Sequence, residues 1–319
     1  MIELVNISKK YDENYIMKDL NFKIPDGEIC IFIGPSGCGK STVLKMINKM
    51  EDITEGKIYI DGKDIDELNE NELRKNIGYV IQQIGLLPHR TVKENISIVP
   101  RLFKWEKERI YKRVDELLRI VGLNPDEYRD KYPKELSGGQ MQRVGVARAL
   151  AVEPPIMLMD EPFGAVDPIN RKKIQENFLE IHSKLKKTIC FVTHDIDEAL
   201  KMGDRIAIFN DKNIVQYDTP RNILLYPKNE FVKEFIGEDR INKALRFIKV
   251  KEVLANKSDI NTDIEPKIVL SEEDDLETVF NTMVINSEEF IGIEESNGSI
   301  KNISFENLSD YIKSLEGKF

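Results

Sequence analysis

Gly34-Pro35-Ser36-Gly37-Cys38-Gly39-Lys40-Ser41-Thr42 is a glycine-rich string that ends in a lysine and two hydroxyls. Those residue types at that spacing suit one kind of chemistry, the holding of phosphates. Glycines let successive backbone N–H groups curl around a phosphate, and a helix start beneath them adds the positive end of its dipole. Lys40 can reach β- and γ-phosphates, and the Ser41 hydroxyl can face Mg2+. Such a loop must be positioned by a strand before it and a helix after it. Glu28-Ile29-Cys30-Ile31-Phe32-Ile33 is short, apolar and partly β-branched, which predicts a buried strand, and Thr42-Val43-Leu44-Lys45-Met46-Ile47 has helical spacing. With both flanks in place, the string predicts a nucleoside triphosphate site rather than an ordinary glycine turn.

Four further strings follow in order. Tyr79-Val80-Ile81-Gln82 predicts an apolar strand ending in glutamine, and Leu136-Ser137-Gly138-Gly139-Gln140 opens a helical stretch from Met141 to Ala151. Pro155-Ile156-Met157-Leu158-Met159-Asp160-Glu161 closes a strand on two carboxylates, and Thr188-Ile189-Cys190-Phe191-Val192-Thr193-His194 closes another on a histidine. Each has a plain structural explanation: a strand meeting a polar turn, a strand-end histidine, or Ser137 as a helix cap. Their succession downstream of the glycine-rich loop points to a shared task.

Over roughly its first 240 residues the chain resembles the ATPase subunit of ABC transporters, whose signature motif matches Leu136 to Gln140. The resemblance implies that Gln82 is the Q-loop glutamine and Asp160 the Walker B aspartate. Glu161 would then be the catalytic glutamate and His194 the switch histidine, and Ser41, Gln82 and Asp160 would face Mg2+. Gly164-Ala165-Val166-Asp167 falls on the D-loop, which usually opens with serine where this chain has Gly164. Tyr11 falls where the family stacks an aromatic on adenine; an ordinary edge-strand tyrosine is the other reading. The nucleotide-contacting set implied is Tyr11, the loop from Gly34 to Thr42, Ser137 to Gln140, and Asp167.

The chemistry also follows from the residues. Phosphoryl transfer to water needs charge stabilisation, alignment and a polarised nucleophile. Glu161 directly follows Asp160, where its carboxylate can orient or deprotonate water. His194, at a neighbouring strand end, can hydrogen-bond a γ-phosphate. Ser137, Gly138 and Gly139 open a helix and so make a second anion site. In the resembled family that site faces the ATP of the opposite subunit, which implies two copies closed face to face around two ATP molecules.

Composition sets limits on this reading. The 319 residues suggest one large domain and a small one. With 47 basic and 56 acidic side chains, the net charge of −9 gives no support to nucleic-acid binding. Residues 1–240 hold 38 basic and 40 acidic side chains against 9 and 16 beyond them, so the acidic excess marks the tail as a separate module. Cys30, Cys38 and Cys190 share no metal-ligand spacing, and they read as reduced cysteines of a cytosolic protein. His89, His182 and His194 are too scattered for a metal site. Uninterrupted apolar stretches reach about five residues against the roughly twenty that cross a bilayer. The start, Met1-Ile2-Glu3-Leu4-Val5-Asn6, does not read as a signal peptide. The expected location is therefore the cytoplasmic face of a membrane, with the spanning permease subunits on other chains.

Between the Q-loop and the signature the pattern turns helical, with Ile110, Val114, Leu117, Leu118 and Val121 forming one stripe within Trp105 to Val121. A helical subdomain is expected over about 86–153, and its start, Leu86 to Val92, falls where the resembled family docks its membrane partner. Asp218-Thr219-Pro220-Arg221 begins a helix, and Phe231 to Gly237 closes the domain. Tyr226 to Val232 resembles importer ATPases. Ile81-Gln82-Gln83-Ile84-Gly85-Leu86-Leu87-Pro88-His89 resembles the osmoprotectant group, which takes up glycine betaine, carnitine or choline.

The tail predicts helix (Val250 to Leu254), strand (Lys267 to Leu270), helix (Leu276 to Met283), strands (Phe290 to Glu294 and Ser299 to Ser304) and helix (Leu308 to Leu315), with Gly298 at the hairpin. That order resembles a CBS module, present here singly rather than in the usual pair. It reads either as a sensor of adenine nucleotides or as a degenerate unit that only dimerises. The expected fold class is thus α/β: a P-loop ABC ATPase domain over 1–240, then a small α+β CBS-like module over 246–319. The chain would energise an importer together with a second copy of itself, permease subunits and, indirectly, a substrate-binding protein. The other readings are an importer for another small solute such as an amino acid, a soluble ABC ATPase acting on DNA or the ribosome, and a nucleotide-binding module without turnover. The last would lack Glu161 or His194.

Overall fold

Ile29–Ile33, Ile156–Asp160 and Thr188–Val192 are buried along their whole length. Continuous apolar runs take that form in a parallel sheet covered on both faces. The computed structural model describes residues 1–81, 85–256 and 265–316. Its strands are β1 (Ile2–Tyr11), β2 (Asn14–Ile24), β3 (Ile29–Ile33), β4 (Glu55–Ile60), β5 (Lys63–Asp64), β6 (Ile77–Val80), β7 (Ile156–Asp160), β8 (Thr188–Val192), β9 (Arg205–Asn210), β10 (Asn213–Asp218), β11 (Val269–Ser271), β12 (Phe290–Glu294) and β13 (Ile300–Ser304).

A six-stranded sheet runs β10-β9-β3-β8-β7-β6, and β9/β3, β3/β8, β8/β7 and β7/β6 are parallel pairs. Parallel strands end on one edge, so the turns after β3, β7 and β8 leave the sheet side by side. A four-stranded sheet, β2-β1-β4-β5, is antiparallel throughout. Ile2, Leu4, Met17 and Leu20 from its strands share one core with Phe32, Leu158 and Phe209.

The segment between β6 and β7 is helical, as expected: Val92–Ile96, Ile98–Leu102, Lys107–Ile120, Pro125–Tyr128 and Gly138–Ala149. Ile110, Val114, Leu117 and Leu118 form the buried face of Lys107–Ile120. Two arginines tie this helix to Gly138–Ala149 at their C-termini, where carbonyls lack intrahelical partners. Arg113 donates from Nη2 to Leu150 O at 3.0 Å and from Nε to Ala151 O at 3.3 Å. Arg143 returns the contact, donating from Nη1 to Val121 O at 3.3 Å and Gly122 O at 3.1 Å. The signature helix starts at Gly138 rather than Met141, because Ser137 and Gln140 close a capping box that draws the glycines into the first turn.

The chain divides into two compact units, Met1–Tyr217 and Asp218–Phe319. Helices Pro220–Leu225, Glu230–Ile236, Arg240–Ala244 and Val250–Asn256 open the second. Its sheet has the order β11-β12-β13, parallel then antiparallel, with helices Leu276–Asn286 and Phe305–Glu316. This is the small α+β, CBS-like module, with Ile291, Ile293 and Ile303 buried beside Leu276, Val279 and Leu308. Among the described residues no helix is long and apolar enough to cross a membrane.

Candidate functional site

β3 leads directly into Gly34, where a Cβ would lie 2.2 Å from Phe209 O on β9. Only glycine lets the loop leave the sheet that close to a neighbouring strand. The loop then exposes Pro35, Ser36 and Gly37, half-buries Cys38, and ends at Gly39, from which helix Lys40–Ile47 starts. Val43, Leu44, Met46 and Ile47 bury that helix against the core, which fixes the direction of its first turn. Lys40 is buried and its Nζ donates to Gly34 O and Pro35 O, each at 2.8 Å, so the ammonium stands inside the curl of the loop. Ser41 and Thr42 are half-buried in the first helical turn.

Asp160 ends β7, and Ser41 Oγ donates to its Oδ1 at 2.9 Å. The carboxyl is buried, and burial pushes its pKa above the ordinary aspartate value, opposed by the Ser41 hydroxyl. Glu161 follows in a left-handed backbone conformation at φ +50, its N–H donating to Val192 O on β8 at 3.0 Å. His194, 69% exposed, places Nδ1 3.5 Å from Glu161 Oε1. Adjacent strand ends thus carry the loop, two carboxylates and a histidine: charge, oxygen ligands and a base on one edge of the sheet.

The turn that carries His194 is anchored from below. Thr193 Oγ1 donates to Glu198 Oε2 at 2.5 Å, and Gln175 Nε2 donates to Glu198 Oε1 at 2.8 Å. Glu198 is buried, and that burial raises its pKa despite both hydrogen bonds. Asp195 caps helix Ile196–Met202, and Arg171 Nη1 lies 3.7 Å from its carboxylate while Arg171 Nη2 donates to Val166 O at 2.9 Å.

The signature residues meet other partners. Ser137 Oγ accepts from Gln140 N at 3.2 Å, and Gln140 Oε1 accepts from Ser137 N at 2.9 Å. The Gln140 amide also donates to Tyr128 OH at 3.1 Å. Ser137 and Gly138 are exposed, so the helix start opens to solvent. Gly139 packs on the 164–167 turn, where a Cβ would sit 2.9 Å from Ala165 O. Asp167 caps helix Pro168–Leu185 through Asn170, which holds its carboxyl below the usual range.

Residues 17–164 match the family described as ABC transporter. An osmoprotectant import ATP-binding protein of Salmonella typhimurium is 47% identical over 288 residues, 89% of this chain and 73% of that protein. A glycine betaine/carnitine/choline transport ATP-binding protein of Bacillus subtilis is 50% identical over 266 residues, 83% of this chain and 70% of that protein. The chain belongs to the ABC transporter ATP-binding family. A choline transport ATP-binding protein of Bacillus subtilis is 54% identical, and this chain spans 63% of its length. A dimeric structure of the ATP-binding cassette MJ0796, in a post-hydrolysis state bound to ADP and Pi, superposes with a TM-score of 0.64 at 37% identity, over 69% of this chain and 99% of that one.

In this ABC ATPase Ser41 meets Asp160 and His194 meets Glu161, the residue after Asp160, while Lys40, the residue before Ser41, turns back to the loop carbonyls. Of the signature residues, Gly139 instead adjoins the turn that ends at Asp167, while Ser137 and Gln140 bond to each other. Tyr11 ends β1 at 43% exposure, with Lys9 Nζ 4.7 Å from its ring centroid, and burial together with the Glu51 carboxylate raises its phenol pKa. It pairs with Asn14 of β2, the strand whose Met17 lies against Gly39. Gln82 lies outside the described residues. Sequence reading passed over Gln142, Arg171 and Glu198. Polar side chains within helices, buried at Gln142 and Glu198 and half-buried at Arg171, were the available signal, and it becomes specific only when their partners are known.

Proposed function

We propose that the chain binds and hydrolyses ATP to energise uptake of small quaternary amines such as glycine betaine, carnitine or choline. The contact between Glu161 and His194 beside the Ser41–Asp160 pair is the observation that carries the hydrolytic reading. The names of the similar importer proteins support the substrate class.

The loop from Gly34 to Thr42 holds the phosphates, and Lys40 swings its ammonium from loop carbonyls to the β- and γ-oxygens. Glu161 orients and deprotonates the attacking water, and His194 donates to the γ-phosphate and keeps Glu161 in line. Among the described residues no group of three or more His, Cys, Asp or Glu could hold a metal alone. Mg2+ nevertheless fits, because it takes one or two protein oxygens and fills its other positions with phosphates and water. Ser41 and Asp160 offer a hydroxyl and a buried carboxylate 2.9 Å apart, and Gln82 is the third proposed residue. Bound there, Mg2+ neutralises charge that builds on the β–γ bridge. Tyr11 stacks on adenine.

Ser137, Gly138 and Gly139 take the γ-phosphate held by a second copy, with Asp167 at the same interface, so two chains make two complete sites. Permease subunits dock beside the helical subdomain. A groove of about 1080 Å3 there, lined by Tyr79, Val99, Leu102, Phe103 and Arg148, supports this, with Leu102 75% exposed. The assembly would sit on the cytoplasmic face of the membrane and receive solute from a substrate-binding protein. The ATPase domain is taken as 1–240 and the regulatory or dimerising module as 246–319.

Glu161→Gln tests the hydrolytic role. ATP binding is expected to persist while turnover falls about 10²- to 10⁴-fold, trapping an ATP-bound dimer. Near-normal turnover would remove Glu161 from the mechanism. Uptake of labelled choline and of an amino acid by vesicles carrying the whole transporter tests the substrate class, and accumulation of the amino acid alone would overturn it.

A further inference from the structure

Glu161 holds a backbone conformation, φ +50, that a non-glycine residue enters at a cost. Such a conformation persists only where its surroundings over-determine it. Its N–H is bound to Val192 O, and its carbonyl accepts from Gly164 N at 3.2 Å. A third and shorter contact comes from the signature helix, where Gln142 Nε2 donates to Glu161 O at 2.6 Å. The other end of the same amide, Gln142 Oε1, accepts from Ala165 N at 2.8 Å. Gln142 is 6% exposed.

A primary amide suits this place better than any other side chain of its size. Glu161 O needs a donor and Ala165 N–H needs an acceptor, and Gln142 presents both at the two ends of one planar group. A carboxylate would set oxygen against oxygen, and an apolar chain would leave both backbone groups without this partner. On the same helix, Gly139 allows the close approach to Ala165 that brings the amide within reach. The helix start, the Glu161 turn and the 164–167 turn therefore form one bracket.

We infer that Gln142 is a positioning residue for hydrolysis: its amide holds the strained turn that aims Glu161 and keeps that turn in step with the helix start at Ser137–Gly139. The inference rests on the proposed role of Glu161. Where two copies share their sites, a phosphate seated on one copy's helix start would bias that copy's own Glu161 through this bracket, which couples the two sites.

Steady-state hydrolysis and ATP affinity of the full chain test it, with Gln142→Met and the isosteric Gln142→Glu each made alone and together with Glu161→Gln. Alone, each is expected to lower kcat about 10- to 100-fold, with KM and ATP affinity changed less than about threefold. Combined with Glu161→Gln, each should change the residual rate less than about twofold, because the carboxylate being aimed is already gone. An equal fall in both backgrounds, an unchanged kcat, or a rise in KM alone overturns the positioning role. If Gln142→Met does not fold, Gln142→Glu keeps the shape of the side chain and carries the same comparison. Full turnover in Glu161→Gln by itself overturns the reading of Glu161 and removes the inference with it, a result distinct from the others.

Discussion

Asp160 shows what the site costs the fold. Its carboxyl is 4% exposed at the end of a core strand, and burial disfavours its charged form. Ser41 can donate equally well to an amide oxygen, so Asp160→Asn keeps the hydrogen bond and removes the charge. The nucleotide-free variant is expected to melt higher than the parent at pH 7. The sign follows from the raised pKa. Below about pH 4 the carboxyl is neutral in the folded and unfolded chain alike, so the advantage vanishes there. It then grows as pH rises through the folded value and the parent must bury a charge. ATP hydrolysis should fall in the same variant. A melting temperature that is lower, or a difference that does not depend on pH, would contradict this account.

At the scale of elements, the two long helices of the helical subdomain are fastened by exchange, each supplying the arginine that binds the other's C-terminal carbonyls. Arg143 is 8% exposed, and burial lowers its pKa, so its charge is retained against a desolvation cost. Arg143→Met preserves apolar volume but leaves Val121 O and Gly122 O without this donor. A loss of about 1–3 kcal/mol is expected in urea unfolding, with nucleotide affinity of the folded chain unchanged, because none of these atoms touches the loop. Unaltered unfolding would show that the exchange contributes nothing measurable. Thr193, Glu198 and Gln175 also fasten elements together, joining the turn of His194 to the helix that Asp167 caps.

At the scale of the molecule, the first unit contains every described residue of the proposed ATP site. The second leaves apolar side chains exposed on helix Leu276–Asn286 and nearby: Val284 at 58%, Ile285 at 80% and Phe305 at 51%. A small module with an unpaired apolar face favours a symmetric mate, and a second copy is the mate expected here. Ile285→Lys should therefore weaken self-association in the absence of nucleotide, as read by sedimentation, while leaving basal ATP hydrolysis within about twofold, since the change touches no site residue. A variant that associates as the parent does would exclude this face from the contact.

The amino-acid order alone was enough for the phosphate loop, the buried strands and the tail's alternation of helix and strand. These rest on residue type and short spacing: glycines and a lysine within one turn, β-branched runs, helical stripes such as Ile110 to Leu118. The capping box drawing Gly138 to Gln140 into the helix was equally local, yet the expected helix began three residues late. Other features depended on strand order in space. The pairing of Glu161 with His194, and of Ser41 with Asp160, follows from parallel strands ending on one edge, which no local spacing encodes. Gln142 and Glu198 are the plainest cases. Each is an ordinary polar residue in a helix until the tertiary fold buries it, and burial then obliges it to find partners outside its own helix.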